Sequence, residues 1–390
     1  MVRAMQTAGT AKNHVFSPFD FSCMRRAFAL AGRGRGATSP NPMVGAVLAK
    51  DGRIVGEGWH RRYGGAHAEA EAIQAVRAAG LSPVGADLYC TLEPCCFTAP
   101  DKHQPPCTGL VIESGIKRVC IANLDPNFRV SGKGVAALEG AGIEVGVGLC
   151  AEAGEELNRA FFAFQRLGRP YVHLKMAQTL DGRIAAPDGN ARWISDEAAR
   201  RMVHRLRCHY DAVLIGRGTA LADDPELTVR LARGRNPRRV VLDSRLAIPE
   251  TARLFSLPEP EKTVIVHRED ASARKAAKLR SRGAELLPLV AAAGGLPLRK
   301  VLTALGKRGV QSVLVEGGAG VFSSFLREGL WDRLSVFIAP VILGGGVSAV
   351  SGLGIATMEQ AMRFGNGSFR RVGSQVLFEV DREGAACSRG

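Results

Sequence analysis

The sequence predicts an α/β protein of two domains, and three observations carry that reading. The chain has 390 residues, and at roughly 100–200 residues per domain two domains are the first expectation. Short apolar runs alternate with amphipathic stretches along most of its length, which is the pattern of a largely parallel sheet covered by helices. The alternation pauses at the turn LGRP (167–170) and resumes with YVHLKMA, which sets the domains at 17–165 and 166–390.

The elements follow in order. SPFDFSCMRRAFALAG (17–32) reads as a helix, with Ser17 or Asp20 available as N-cap. A turn-rich Gly/Arg and SPNP stretch leads into the strand MVGAVLAK (43–50), and Asp51-Gly52 turns it back through RIVGEGWH. AHAEAEAIQAVRAA (66–79) is a helix closed by Gly80, ADLYCTL (86–92) a strand running into EPCC, and 107–114 a helix ended by Gly115. RVCIAN (118–123) is the next strand, and AEAGEELNRAFFAFQ (151–165) reads as one helix. In the second half the strands are YVHLKMA, DAVLIG, RRVVLDS, TVIVH, SVLVEGG and RLSVFIAP, with helices around 196–209 and 320–328.

Composition narrows the function classes. With 46% hydrophobic and 23% charged residues, the chain is neither disordered nor fibrous. No apolar run approaches the roughly 20 residues of a membrane span. The N-terminus MVRAMQTAGTAKNHVFSPFD has no apolar h-region, so a cytoplasmic protein without a signal peptide is expected. The formal charge of +15 suits nucleic acid or phosphorylated small molecules, yet the basic residues are scattered and form no tail. Nine cysteines is an odd number, which favours metal ligation or buried thiols over a disulfide framework. Cys90, Cys95, Cys96, Cys107 and Cys120 are crowded, whereas Cys23, Cys150, Cys208 and Cys387 stand alone.

His67-Ala68-Glu69 opens a helix, and Pro94-Cys95 follows the next strand. His-x-Glu with a downstream Pro-Cys is the zinc-deaminase pattern, in which His and two thiolates hold Zn2+ and Glu moves protons. Three protein ligands leave a fourth position for water, whose pKa zinc lowers to about 7. Glu69 must stay off the metal to carry the proton. The third ligand is open between Cys96 and Cys107. Neighbouring side chains rarely converge on one ion, and Cys107 opens a helix where the positive dipole end favours a thiolate. His67, Cys95 and Cys107 are therefore the expected ligands.

TSPNPMVGAV (38–47), GWHRRYGGAHAE (58–69), TLEPC (91–95), PPCTGLVIESGIKRV (105–119) and DPN followed by GKG (125–134) resemble the deaminase half of the bifunctional riboflavin-biosynthesis deaminase/reductase family. The resemblance implies a three-layer cytidine-deaminase-like domain, with Asn41 facing substrate. From the residues alone, Asn41 is equally a turn residue before proline. Eleven residues separate Cys95 from Cys107, three more than in the family pattern PCSHxGxTPPC, and Phe97 stands where the family has His. His103 in the longer loop is the candidate to replace it.

The second half has no GxGxxG turn between a strand and a helix, so no Rossmann fingerprint. VLVEGGAGVFSSFL (313–326) offers instead a strand, a Gly turn and a helix N-terminus able to take phosphate. LKMAQTLDGRIA (174–185), WIS (193–195), HRLR (204–207), DAVLIGRGTALADDPELTVR (211–230) and VLVEGG resemble the reductase half of the same family, which has a dihydrofolate-reductase-like α/β fold. By that resemblance Ala177, Trp193, Thr219, Asp223, Ser244 and the turn Gly318, Ala319, Gly320, Val321, Phe322, Ser323 and Ser324 would line NADPH. Ala191 (usually Ser in the family), Arg207, Leu227, Arg230 and Glu316 would hold a phosphorylated substrate, the two arginines converging on its phosphate.

The implied activities are hydrolytic deamination of a diaminopyrimidinone ribosyl 5′-phosphate and NADPH reduction of the resulting ribosyl group to ribityl. Small-molecule partners and a homo-oligomer are expected, with no nucleic acid and no membrane. A nucleic-acid base deaminase would leave the second half without a purpose. A zinc scaffold would close the metal site with a fourth protein ligand, which Glu69 argues against.

Overall fold

A computed structural model describes residues 15–98, 104–292 and 295–382. These form two compact units, one of residues up to Thr38 with Pro42–Asn158, the other of Ser39–Asn41 with Arg159 onward.

The first unit runs α1 (Pro18–Ala31), β1 (Gly45–Lys50), β2 (Arg53–Trp59), α2 (Ala68–Ala78), β3 (Asp87–Leu92), α3 (Cys107–Glu113), β4 (Arg118–Asn123), α4 (Lys133–Gly140), β5 (Glu144–Val147) and α5 (Ala151–Leu157). Ser17 caps α1 in a reciprocal box with Asp20. Asp51 and Gly52 both take positive φ, 50° and 71°, as the two-residue hairpin turn requires. The sheet order is β2-β1-β3-β4-β5. β1 is antiparallel to both neighbours, and β3, β4 and β5 are parallel. Alternate residues of one strand face opposite sides. Val47 and Ala49 pack under Met24, Ala27 and Leu30 of α1, while Ala46 and Leu48 pack under Ala72, Ile73 and Val76 of α2. Three layers result.

The helix expected over 151–165 is broken. Asn158 is the C-cap of α5, and its side-chain amide exchanges two 2.8 Å hydrogen bonds with the backbone of Met43. A new helix, α6 (Arg159–Leu167), then starts the second unit, so the chain divides at 158/159 and not at 165/166.

That unit continues β6 (Tyr171–Thr179), β7 (Arg183–Ala185), α7 (Glu197–His209), β8 (Ala212–Gly216), α8 (Arg217–Asp223), β9 (Arg238–Leu242), β10 (Thr263–Arg268), α9 (Ala273–Ser281), β11 (Glu285–Leu289), α10 (Leu298–Gly306), β12 (Ser312–Gly317), α11 (Ala319–Arg327), β13 (Arg333–Ala339), β14 (Val347–Ser348), β15 (Ser368–Val372) and β16 (Gln375–Asp381). Among the described residues its main sheet has the order β11-β10-β9-β8-β12-β6-β13-β16-β15. It is parallel as far as β13, and β16 and β15 complete it antiparallel. α10 and α11 cover one face through Leu302, Leu305, Phe322 and Phe325, and Leu279 of α9 covers the other with Leu254 and Phe255. No helix among the described residues is long and apolar enough to cross a membrane.

Candidate active sites

Two glycines fix the helix that carries the first site. A Cβ at Gly58 would stand 2.3 Å from the Ala68 carbonyl oxygen, and one at Gly56 would stand 2.7 Å from that of Ala72. Only glycine lets the backbone of α2 lie directly on β2. His67 is the N-cap of α2 and Glu69 lies in its first turn.

The opposite wall is set by Glu93. Its carboxylate accepts the backbone N–H groups of Asp125, Gly132, Gly134 and Val135 at 2.9–3.1 Å. That ties the start of α4 to Pro94, so Cys95 leaves β3 in a fixed direction. The Thr108 amide donates to the Cys95 carbonyl at 3.2 Å, which brings in the start of α3.

Here His67, Cys95 and Cys107 meet, each offering a ligand atom within 4.8 Å of the others. Nδ1 of His67 lies 3.2 Å from Sγ of Cys107 and 3.5 Å from Sγ of Cys95. Cys96 sits outside this group, its sulfur 4.0 Å from the Arg129 carbonyl oxygen. The Cys107 thiol donates to Cys95 and, with His67, holds the Cys95 thiol down to about 3. The same bond and burial push Cys107 up. One imidazole and two sulfurs suit a tetrahedral zinc ion with an open fourth position. Glu69 is buried, and desolvation pushes its carboxyl up although His67 pulls it back.

Two further residues of this site were not anticipated. Glu93 lies inside TLEPC, but its four backbone partners are set by the fold. His60, which precedes the loop to His67, donates to the Ala66 carbonyl through Nδ1 at 2.9 Å, and its ring meets that of His67 edge-on at 5.4 Å. A carbonyl can only accept, so Nδ1 of His60 carries the proton. Asn41 is half-buried, Phe97 stacks with Arg129 at 6.0 Å, and His103 lies outside the described residues.

The second site is a cleft of about 900 Å³. Ala191, Thr219, Asp223, Ser244, Gly318, Ala319, Gly320, Val321 and Ser324 all line it. Gly318 has φ 83° and precedes α11, whose first amides have no side-chain cap. The helix start is thus available to phosphate. The cleft's size suits a dinucleotide. Other expected residues lie elsewhere. Phe322 and Ser323 are buried, Ser323 donating to the Ala319 carbonyl. Ala177 packs beside Phe337 and Met202. Trp193 is 70% exposed, with the Arg200 guanidinium 4.5 Å from its ring.

Both arginines bond Thr228, Arg207 at its carbonyl and Arg230 at its hydroxyl, at 2.9 and 3.1 Å. Arg207 holds Glu316 with two bonds and donates a third to the Thr228 carbonyl at 2.9 Å, which satisfies it internally. Arg230 pairs with Glu226 at the surface. Leu227 is buried. Lys175, inside LKMA, completes this cluster unannounced. Burial lowers its ammonium and Glu316 raises it back. Burial alone would raise Glu316, but Arg207 holds it below the usual carboxylate range.

Comparison with known proteins bears on both sites. The description "RibD C-terminal domain" matches residues 170–378, and "Cytidine and deoxycytidylate deaminase zinc-binding region" matches 18–123. The riboflavin biosynthesis proteins RibD of Aquifex aeolicus and Bacillus amyloliquefaciens are each 42% identical to the chain over 93% of its length, covering 98% and 96% of theirs. The chain belongs to the RibD family. A Thermotoga maritima structure described as a diaminohydroxyphosphoribosylaminopyrimidine deaminase/5-amino-6-(5-phosphoribosylamino)uracil reductase is similar at TM-score 0.83 and 38% identity, covering 93% of this chain and 98% of that one. Acinetobacter baumannii RibD gives 0.84 and 34% with the same coverage. As a RibD protein the chain is a bifunctional deaminase/reductase of riboflavin biosynthesis, cytidine-deaminase-like in its first half and dihydrofolate-reductase-like in its second. The RibD deaminase half uses Zn2+ and the reductase half NADPH.

Proposed function

We propose that the first site deaminates 2,5-diamino-6-ribosylamino-4(3H)-pyrimidinone 5′-phosphate and that the second reduces the ribosyl group of 5-amino-6-(5-phosphoribosylamino)uracil to ribityl. The convergence of His67, Cys95 and Cys107 beside a buried Glu69 carries the first assignment. Zinc held there supplies a Lewis acid that makes water a competent nucleophile at neutral pH. Glu69 takes a proton from the attacking water and delivers it to the departing amino group. Water adds, ammonia leaves, and the carboxyl ends as it began. We assign His60 as a polar contact to the pyrimidine.

In the second site NADPH supplies the hydride. We assign Thr219, Asp223, Ser244, Gly318, Ala319, Gly320, Val321 and Ser324 to its binding, and Ala191 to the substrate. We assign the Lys175 ammonium as the proton source for the reduction, its charge supported by the Glu316 carboxylate that Arg207 pairs with. Arg230 takes the phosphate. Its exposed pair with Glu226 is easily exchanged, because surface ion pairs are worth about 0–1 kcal/mol. We place the protein in the cytoplasm as a homo-oligomer acting on small molecules, with neither nucleic acid nor membrane as partner.

A coupled assay tests this reading. The free diaminopyrimidinone nucleotide should release ammonia first, and NADPH should then be oxidised in equal amount. Ammonia released from tRNA or single-stranded DNA, with none from the free nucleotide, would refute it.

A further inference from the structure

The segment Leu227–Arg230 is pinned at every residue. The Leu227 side chain is buried, although its backbone takes φ 56°, a conformation unfavourable for a residue with a branched side chain. The Thr228 carbonyl accepts from Arg207 Nη1 at 2.9 Å, and the Val229 amide donates to Asn236 Oδ1 at 2.9 Å. The last amide, that of Arg230, donates to Nδ1 of His204 at 2.9 Å. His204 is 6% exposed and stands on α7 one turn before Arg207. One helix face therefore grips both the middle and the end of the segment.

We propose that His204 is a positioning residue for the reductase substrate: by accepting the Arg230 amide it fixes the backbone from which the Arg230 guanidinium reaches the phosphate. This rests on the reading of Arg230 as the phosphate contact. Because Nδ1 accepts, the ring proton lies on Nε2. The surroundings favour that neutral form, first through burial and then through Arg207, Arg230 and Lys175, with Glu316 opposing them. A strained segment keeps one conformation only while its surroundings hold it. Without the His204 tether, Arg230 would retain its charge but lose its starting point.

Side-chain geometry supplies the test. Asn places Oδ1 where His places Nδ1, so His204→Asn retains the acceptor. His204→Gln fills the space but carries its oxygen past the Arg230 amide. In steady-state reductase kinetics His204→Gln and His204→Ala should raise KM for the phosphorylated uracil nucleotide about tenfold, the scale of one hydrogen bond, with kcat changed less than about threefold. His204→Asn should stay within about threefold of wild type. NADPH affinity, followed by its fluorescence on binding, should not move. Arg230→Ala should raise the same KM, and adding His204→Gln to it should raise it no further. If Arg230→Ala leaves KM unchanged, the phosphate reading fails and takes the inference with it. If Arg230→Ala raises KM but His204→Gln does not, or if the two effects multiply, only the positioning role is overturned. Failure of His204→Asn to restore KM overturns it as well.

Discussion

Arg207 closes on Glu316 with two hydrogen bonds of 2.6 and 2.8 Å, joining residues 109 positions apart in the chain. Both side chains are largely buried, at 12% and 7% exposure. Removing one partner from a buried pair leaves an uncompensated charge, at a cost of about 3–5 kcal/mol. Glu316→Gln would strand Arg207 and Lys175 together. The melting temperature should fall by roughly 10 °C, and reductase activity should be lost while ammonia release continues below the melt. An unchanged melting temperature would mean that the pair contributes nothing to the fold.

Glu69→Gln should abolish ammonia release by a factor of about 10²–10⁴, the usual contribution of a general acid–base group. Zinc content should stay near one ion per chain and NADPH oxidation should persist. Loss of zinc in this variant would make Glu69 a ligand and end its assignment as proton carrier.

Cys107→Ser should reduce bound zinc far more than Cys96→Ser. Cys107 shares the ligand cluster, whereas the Cys96 sulfur lies beside the Arg129 carbonyl. Metal analysis of the two purified variants decides between them, and equal losses would contradict the assignment.

How much of this was legible in the sequence depended on distance along the chain. His67, Glu69, Cys95 and Cys107 sit at element ends, and a helix start or strand end can be read from local capping and turn residues. Glu93 is different. Its meaning lies in amides some 40 residues onward, which no local pattern announces. The Arg207–Glu316–Lys175 cluster is hidden for the same reason, since each member belongs to a different element. Asn158 reads as one polar residue within a helical run, yet its bonds to Met43 end the helix and move the division of the chain. Of the cleft, the turn Gly317–Gly320 was legible because it follows a strand end and opens a helix, whereas Thr219, Asp223 and Ser244 came from the family resemblance. Phe322 and Ser323 were not legible, because consecutive helical residues point in different directions and only some of a continuous run can face a ligand.

Acid should weaken the second unit in a specific window. Burial, then Arg207 and Arg230, push His204 down to about 4. His173, bonded to the Tyr210 hydroxyl and the Ser335 hydroxyl at 2.6 and 2.7 Å, is pushed well below its ordinary value, chiefly by burial. Unfolding returns both to about 6.5. Between that value and the folded one, the unfolded chain binds more protons, so stability falls as pH drops from about 6.5 toward 4. Asp20 acts lower. Its carboxyl is held at about 2, opposed by burial but bonded by Tyr89, Ser17 and Arg118, so its contribution is lost only as pH falls through that range. Carboxyls that burial pushes up, such as Asp223, act in the opposite sense. Comparing wild type with His204→Asn cancels them, because Asn keeps the acceptor and does not titrate. The melting temperature of wild type relative to this variant should fall steadily between pH 6.5 and 4.5. A constant difference across that range would mean that His204 is not held neutral by the fold.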